Sequence, residues 1–398
     1  MNIKPDPQHR RALVLLSCAA FASAASARLC DPMLPHLAHA FSVPQPETAR
    51  VVSAFSLAYG ALQVFFGPLG DRVGKYRLIA FTTLLCTVGS VGAAFADSLS
   101  FLVFFRFLTG AFSAGIIPLS MAWIGDTIAY DNRQAVLARF LSGQIIGVIG
   151  GQFIGGVFTD HLGFRWAFGF MALAYGLIGG AVLWESRVNV ATYHPPRDGG
   201  VHAGIWAQSA VVLRSPWARV VLLTVFVEGA SVFGPLAFIP SYLHRHFGLS
   251  LTGAGALMGA FGLGGFSYIL FARQFVGRLG ETGLTRWGGV LIGVAWLVLA
   301  FSVSWGWAIL TCYLIGLGYY MLHNTLQINA TQMAPQVRGT AVSLFASSFF
   351  LGQSLGVMLS AWWLEGYGQR SLFATVALIL PVIGTLFSRA LQRKQREG

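Results

Sequence analysis

Five ionisable residues, Arg28, Asp31, Arg106, Glu228 and His323, lie well inside long apolar runs. Carrying a charge into such a run is costly, so residues of this kind usually serve a pathway or a site. The chemistry open to them is proton binding and release, or ion pairing with a solute. Arg28 lies one helical turn from Asp31 and can compete for it. Counted in from the ends of their runs at 1.5 Å per residue, Asp31 and Arg106 reach the same depth, roughly 10 Å, so they too can pair. Burial and positive neighbours act on such a carboxylate in opposite senses. Asp31 therefore reads either as a group that couples protons or substrate to a conformational change, or as half of a static ion pair that fixes helix packing. Glu228, with Gly229 beside it and no obvious partner nearby in the chain, reads as a proton carrier or a site for a cationic substrate. His323-Asn324 fits a proton relay or a hydrogen-bonded core pair.

The elements that must position these residues are membrane helices. The chain has 398 residues, of which 55% are hydrophobic and 10% charged, with a mean hydropathy of +0.66. A soluble chain would carry about 25% charge. At about 20 residues per span, the sequence holds twelve. They are expected near 12–38, 49–70, 76–96, 100–125, 135–158, 165–185, 217–243, 251–273, 285–304, 306–331, 338–363 and 370–390. The reading is an all-α integral membrane protein of two six-helix halves, 1–186 and 217–398, joined by a cytoplasmic linker over 187–216. The five buried ionisable residues then fall on spans 1, 4, 7 and 10, a period of three. With the N-terminus inside, twenty of the 26 Lys and Arg residues fall on the inner face and four on the outer face. This bias fixes both termini on the cytoplasmic side.

Several alternatives are excluded. The net charge of +12 hints at nucleic acid, but the basic residues spread over one membrane face, and no nucleic-acid partner is expected. Cys18, Cys30, Cys86 and Cys312 lie in apolar runs without ligand spacing, so neither a disulfide nor a metal site is expected. The small-residue pattern around Ala22 to Ala27 mimics a signal-peptidase site, but the run continues past it. Gly352-x-Ser354-x-Gly356 matches a hydrolase nucleophile elbow, yet it lies inside an apolar helix rather than a strand-turn-helix, so it reads as small-residue packing. Asn329-Ala330-Thr331 matches a glycosylation site but falls on the inner face. No ATP-binding loop and no cofactor motif occurs, so a gradient must supply the energy of any transport.

The charged turn between the second and third runs is Gly67-x-Leu69-x-Asp71-Arg72-x-Gly74-Lys75-x-Arg77. It resembles the signature loop of the major facilitator superfamily. Span 5 carries Gly143, Gly147, Gly151 and Gly155, spaced by four, which form one smooth face for close packing. The run from Gly147 to Gly156 resembles that superfamily's antiporter motif, with Gln152 where proline is usual. Arg106-x-x-Thr109-Gly110 resembles its span-4 motif, and Gly163-Phe164-Arg165-Trp166 also fits. Gly277-Arg278-Leu279-Gly280 stands where a degenerate second copy of the loop should lie.

The resemblance implies the major facilitator fold, with spans 1, 4, 7 and 10 around a central cavity. It implies substrate contacts from Arg28, Arg106, Tyr59, Gln144, Gln152, His323, Asn324 and Gln353, and proton coupling at Asp31 or Glu228. A gate is implied in which Lys75 meets Asp126 and Asp71 caps the start of span 11 near Arg338. The function expected is proton-coupled efflux of a small organic compound or drug by a monomer in a lipid bilayer, the inner membrane of a cell. Proton-coupled import of a metabolite is the alternative, with a membrane enzyme or sensor behind both.

Overall fold

The computed structural model describes residues 7–128, 130–193 and 204–397, and among them there are helices, turns and loops but no strand. Backbone amides in hydrocarbon have no water to bond, so a chain this apolar satisfies them within each segment as helix. Span 1 is made of helices Pro7–Arg28 and Leu34–Ala40, and span 2 ends in Arg50–Val73. Span 3 is Lys75–Ala94, and span 4 joins Leu99–Ser113 to Ile116–Thr127. Spans 5 and 6 are Tyr130–His161 and Phe164–Val188. Span 7 joins Pro216–Leu236 to Ile239–Phe247, span 8 begins with Leu251–Leu257, and span 10 is Gly306–Gln332.

Helix Gly259–Ala300 turns at Gly280 and helix Arg338–Glu397 turns at Gly368. Their φ values of 62° and 76° are open to glycine at little cost. Spans 8 and 9 therefore divide at 280, and spans 11 and 12 at 368, giving twelve crossings among the described residues.

Two differences from the sequence reading matter. Span 1 is not continuous: its helix ends at Arg28 and restarts at Leu34, so Asp31 sits in the break. Pro32 has no N–H to give and disfavours the helical conformation of the residue before it. The linker, a polar segment in the sequence, contains a helix, Ile205–Arg214, whose Val212 is buried. Its proline- and glycine-rich part, 194–203, lies outside the described residues.

There are two main apolar cores. One gathers residues such as Leu16, Ile79, Trp123 and Tyr175 from spans 1 to 6, and the other Val225, Trp296, Ile315 and Phe373 from spans 7 to 12. Helix contact within each half rests on glycine. A Cβ on Gly147, Gly151 or Gly155 would run into the span-1 carbonyls of Phe21, Ala25 and Leu29 respectively, and one on Gly143 would press on that of Ser17. In the second half, Gly352 and Gly356 of span 11 lie against the carbonyls of Phe226 and Ala230 of span 7 in the same way. The elbow-like sequence is thus a packing surface, and Ser354 donates its hydroxyl to the Ser53 carbonyl. Many large apolar side chains point outward, among them Leu173, Leu177, Leu223, Leu270 and Leu378. In a membrane protein that surface faces lipid tails.

Candidate functional site

The last residue before the break in span 1, Arg28, reaches the other half, with Asp31 behind it in the break. Arg28 Nη2 donates to Gln353 Oε1 of span 11 at 3.1 Å, and its guanidinium lies 4.3 Å from the ring centre of Phe233 in span 7. Its Nη1 forms an ion pair with Asp31 Oδ2 at 3.6 Å, longer than a hydrogen bond. Asp31 is fully buried and neither carboxylate oxygen has a hydrogen-bond partner among the described residues. Gln353 Nε2 in turn donates to Ser56 Oγ of span 2 at 2.8 Å. Span 11 thus ties spans 1 and 2 to the second half through one buried amide.

Arg106 does not join Asp31. Its three nitrogens donate to the Val51 carbonyl (3.3 Å), the Ser26 hydroxyl (3.2 Å) and the Ser26 carbonyl (3.0 Å), and its guanidinium lies over Phe55 at 4.4 Å. The expectation of a pair was drawn from equal depth. Depth says nothing about direction, and each of the three guanidinium nitrogens is already engaged by a backbone carbonyl or a hydroxyl.

Glu228 and His323, 95 positions apart in the chain, meet across spans 7 and 10. Oε2 and Nδ1 share a hydrogen bond of 2.8 Å. Glu228 is fully buried and its Oε1 has no partner among the described residues, whereas the His323 side chain keeps 15% of its surface. Tyr319 stacks on the imidazole at 4.9 Å, and Phe349 meets it edge-on at 5.1 Å. Asn324 is half-buried beside it, and Gln144 is half-buried on span 5. Tyr59 is buried with its ring 4.1 Å from that of Phe350, so it packs across the two halves. Gln152 is buried where spans 5 and 8 touch, with a Cβ on Gly255 barred by its carbonyl oxygen.

The contacts between halves concentrate toward the face opposite the chain ends, here called the far face. There Gly156 lies against Leu251, and the Asp160 carboxylate accepts from the first residues of span 8. On the termini face the charged loop is loose. Lys75 bonds Asp126 at 2.6 Å and Asp71 at 2.8 Å, while Arg72 and Arg338 are exposed. Gly67, Gly74 and Gly339 have open space around them. Asp71 does not cap span 11; Thr340, near its start, donates instead to Gln208 of the linker helix at 2.6 Å. The physical reason is that Asp71 already has a partner one turn away, the ammonium of Lys75.

Sequence reasoning passed over two acids. Glu185 is buried at the end of span 6, where Asn189 donates to it at 2.7 Å and Arg11 lies at 3.3 Å. At a span end a charge can be solvated, so the sequence alone gives no signal for it. Asp160, in the last turn of span 5, is likewise unmarked by the sequence.

Two six-helix bundles meeting over buried, partly unsatisfied polar groups, and closed against each other on the far face, define a polytopic membrane transporter. The family model of the Major Facilitator Superfamily matches residues 16–357, and the chain belongs to that superfamily. It is 26% identical over 399 residues to the inner membrane transport protein YnfM of Escherichia coli K12, covering 98% of this chain and 92% of that protein. It is 28% identical over 165 residues to the efflux pump FUBT of Fusarium oxysporum, covering 42% of this chain and 28% of that one. Among solved structures, a point mutant of the nucleoside transporter NupG superposes with a TM-score of 0.75 at 13% identity, covering 96% of this chain and 99% of that one. A bacterial homologue of the human lysosomal transporter Spinster, in an inward-facing and unoccupied conformation, gives 0.69 at 17% identity, covering 98% of each. At these identities the likeness is one of fold.

Proposed function

We propose that this transporter exports a small organic compound in exchange for protons by alternating access, as a monomer in a cell inner membrane with both termini in the cytoplasm. The observation that carries the reading is the Glu228–His323 pair. A buried carboxylate has as its hydrogen-bond partner a titratable ring that keeps some exposure. A proton on such a group can reach water through the imidazole without the carboxylate itself being exposed. The direction draws support from the likeness of part of the chain to a fungal efflux pump. The orientation rests on the basic bias of one face.

In the proposed cycle the present arrangement is inward-facing. Glu228 loses its proton through His323 to the cytoplasmic side while substrate enters between the halves. The halves, 1–186 and 217–398, then rock about the linker, the far face opens, substrate leaves, and Glu228 is reprotonated. Arg28, Asp31, Tyr59, Gln144, Asn324 and Gln353 serve as substrate contacts or as the floor of the cavity, with Asp31 the second proton-coupling candidate.

The test uses everted vesicles with an acidified lumen and compounds from a resistance screen on a strain lacking the gene. Antiport predicts that an exported compound alkalinises the lumen. Glu228→Gln should abolish this response while substrate–substrate exchange continues. Proton flux unaltered in Glu228→Gln would remove Glu228 from the mechanism, and substrate movement without proton flux in the wild type would sink the antiport reading itself.

A further inference from the structure

We infer that Asp160 is a latch that holds the far face shut by capping the start of span 8 from the opposite half of the molecule. The residue lies in the last turn of span 5. Its Oδ1 accepts the Leu251 N–H at 3.2 Å, and its Oδ2 accepts both the Thr252 N–H and the Thr252 hydroxyl at 2.7 Å. The first N–H groups of a helix have no partner within it and carry a partial positive charge, so a carboxylate is a favourable acceptor there. Span 8 divides the work of satisfying them. Ser250 Oγ, from its own chain segment, accepts the Gly253 N–H at 3.0 Å. The two N–H groups that Ser250 leaves free are those that Asp160 takes.

Two further observations separate a latch from an incidental surface bond. The nearest arginine or lysine along the chain, Arg165, is engaged elsewhere, with the Ala96 carbonyl at 2.9 Å and Asp97 at 3.4 Å. Asp160 thus makes its bonds across the halves rather than to that neighbour. The backbones beneath it are also in direct contact. A Cβ on Gly156 would meet the Leu251 carbonyl, and one on Gly255 the Gln152 carbonyl. Spans 5 and 8 can part only by breaking all three Asp160 bonds together and exposing the freed N–H groups.

A group that interacts with one conformation and not the other shifts the balance by its full differential affinity. Asp160 therefore biases the protein toward the state with the far face closed. On the termini face the corresponding acid, Asp71, rests on Lys75, away from the start of span 11. The two aspartates cannot both hold a helix start in the other half, because one arrangement needs the far face shut and the other needs it open. This inference rests on the alternating-access reading above.

The experiment measures distances between nitroxide labels at Phe95→Cys and Val303→Cys in proteoliposomes, with the four native cysteines replaced. Both label sites are exposed, at 73% and 88%, and flank the far face in different halves. Asp160→Ala is expected to raise the ratio of long to short distances about tenfold. Thr252→Val, which removes one of the three bonds, should shift it less in the same direction. Asp160→Asn, of the same size, stands in should the alanine variant not fold. An unchanged ratio in the Asp160 variant, or a shift toward short distances, overturns the latch. A wild-type protein with one fixed distance at every pH and with every compound tried would instead overturn alternating access, so the two failures are distinguishable.

Discussion

At the scale of the residue, the site depends on which buried polar groups are left unsatisfied. Glu228 has one oxygen bonded to His323 and one bonded to nothing among the described residues. Removing the imidazole leaves the whole carboxyl without a partner, which costs about 1–3 kcal/mol for a buried acceptor. His323→Ala is therefore expected to lower the thermal midpoint in detergent and to impair proton-driven export. His323→Gln, which restores a donor, should recover the stability but not the proton flux. A variant that recovers both would make His323 a structural partner only. Arg28 offers a second case. It gives its one good side-chain hydrogen bond to Gln353, not to Asp31. Gln353→Leu is expected to let the guanidinium close from 3.6 Å onto Asp31 and to loosen the far face. Raised labelling of far-face cysteines by a membrane-impermeant thiol reagent is the measurement, and unaltered labelling would count against a role for Gln353 in closure.

At the scale of the element, the glycine face of span 5 sets how close the helices come. Gly151 lies against the carbonyl oxygen, Cα and carbonyl carbon of Ala25, all backbone atoms that cannot swing aside. Overpacking of even well-tolerated kinds costs about 1–3 kcal/mol, and a backbone collision sits at or above the upper end. Gly151→Val is expected to abolish the folded, monodisperse protein or its transport. Gly180→Val, in span 6, is the control: nothing lies within 4 Å of the added Cβ, and the position is exposed to lipid. Equal yields and equal transport for the two would show that close packing of spans 1 and 5 is dispensable.

At the scale of the whole molecule, the two faces must alternate. A Cβ added at Gly67, Gly74 or Gly339 would have nothing within 4 Å here, and Val73 and Gly339 are exposed. If the termini face closes during the cycle, Val73→Cys and Gly339→Cys, in a background without native cysteines, are brought within reach of each other. Oxidative cross-linking should then accumulate under turnover, arrest transport, and be reversed by a reductant. Cross-linked protein that transports at the normal rate would rule out closure at this loop. Asp71→Asn is expected to reduce the cross-linking rate, since the carboxylate is the group proposed to hold that face together.

The sequence by itself determined the solvent, the number of crossings and the family. These follow from length, from an apolar content that water cannot accommodate, and from the charged loop at 67–77, all of which are local. It also marked Arg28, Asp31, Arg106, Glu228 and His323, because a charge in hydrocarbon is conspicuous wherever it points. Only the tertiary structure decided who meets whom. Rotation about the helix axis and the break at Asp31 send Arg28 to Gln353 and Arg106 to backbone carbonyls, and bring Glu228 to His323. The state of the two faces was likewise invisible in the chain. It is a balance between two packings of one sequence, set by contacts such as Asp160 with Thr252 that join residues 92 positions apart.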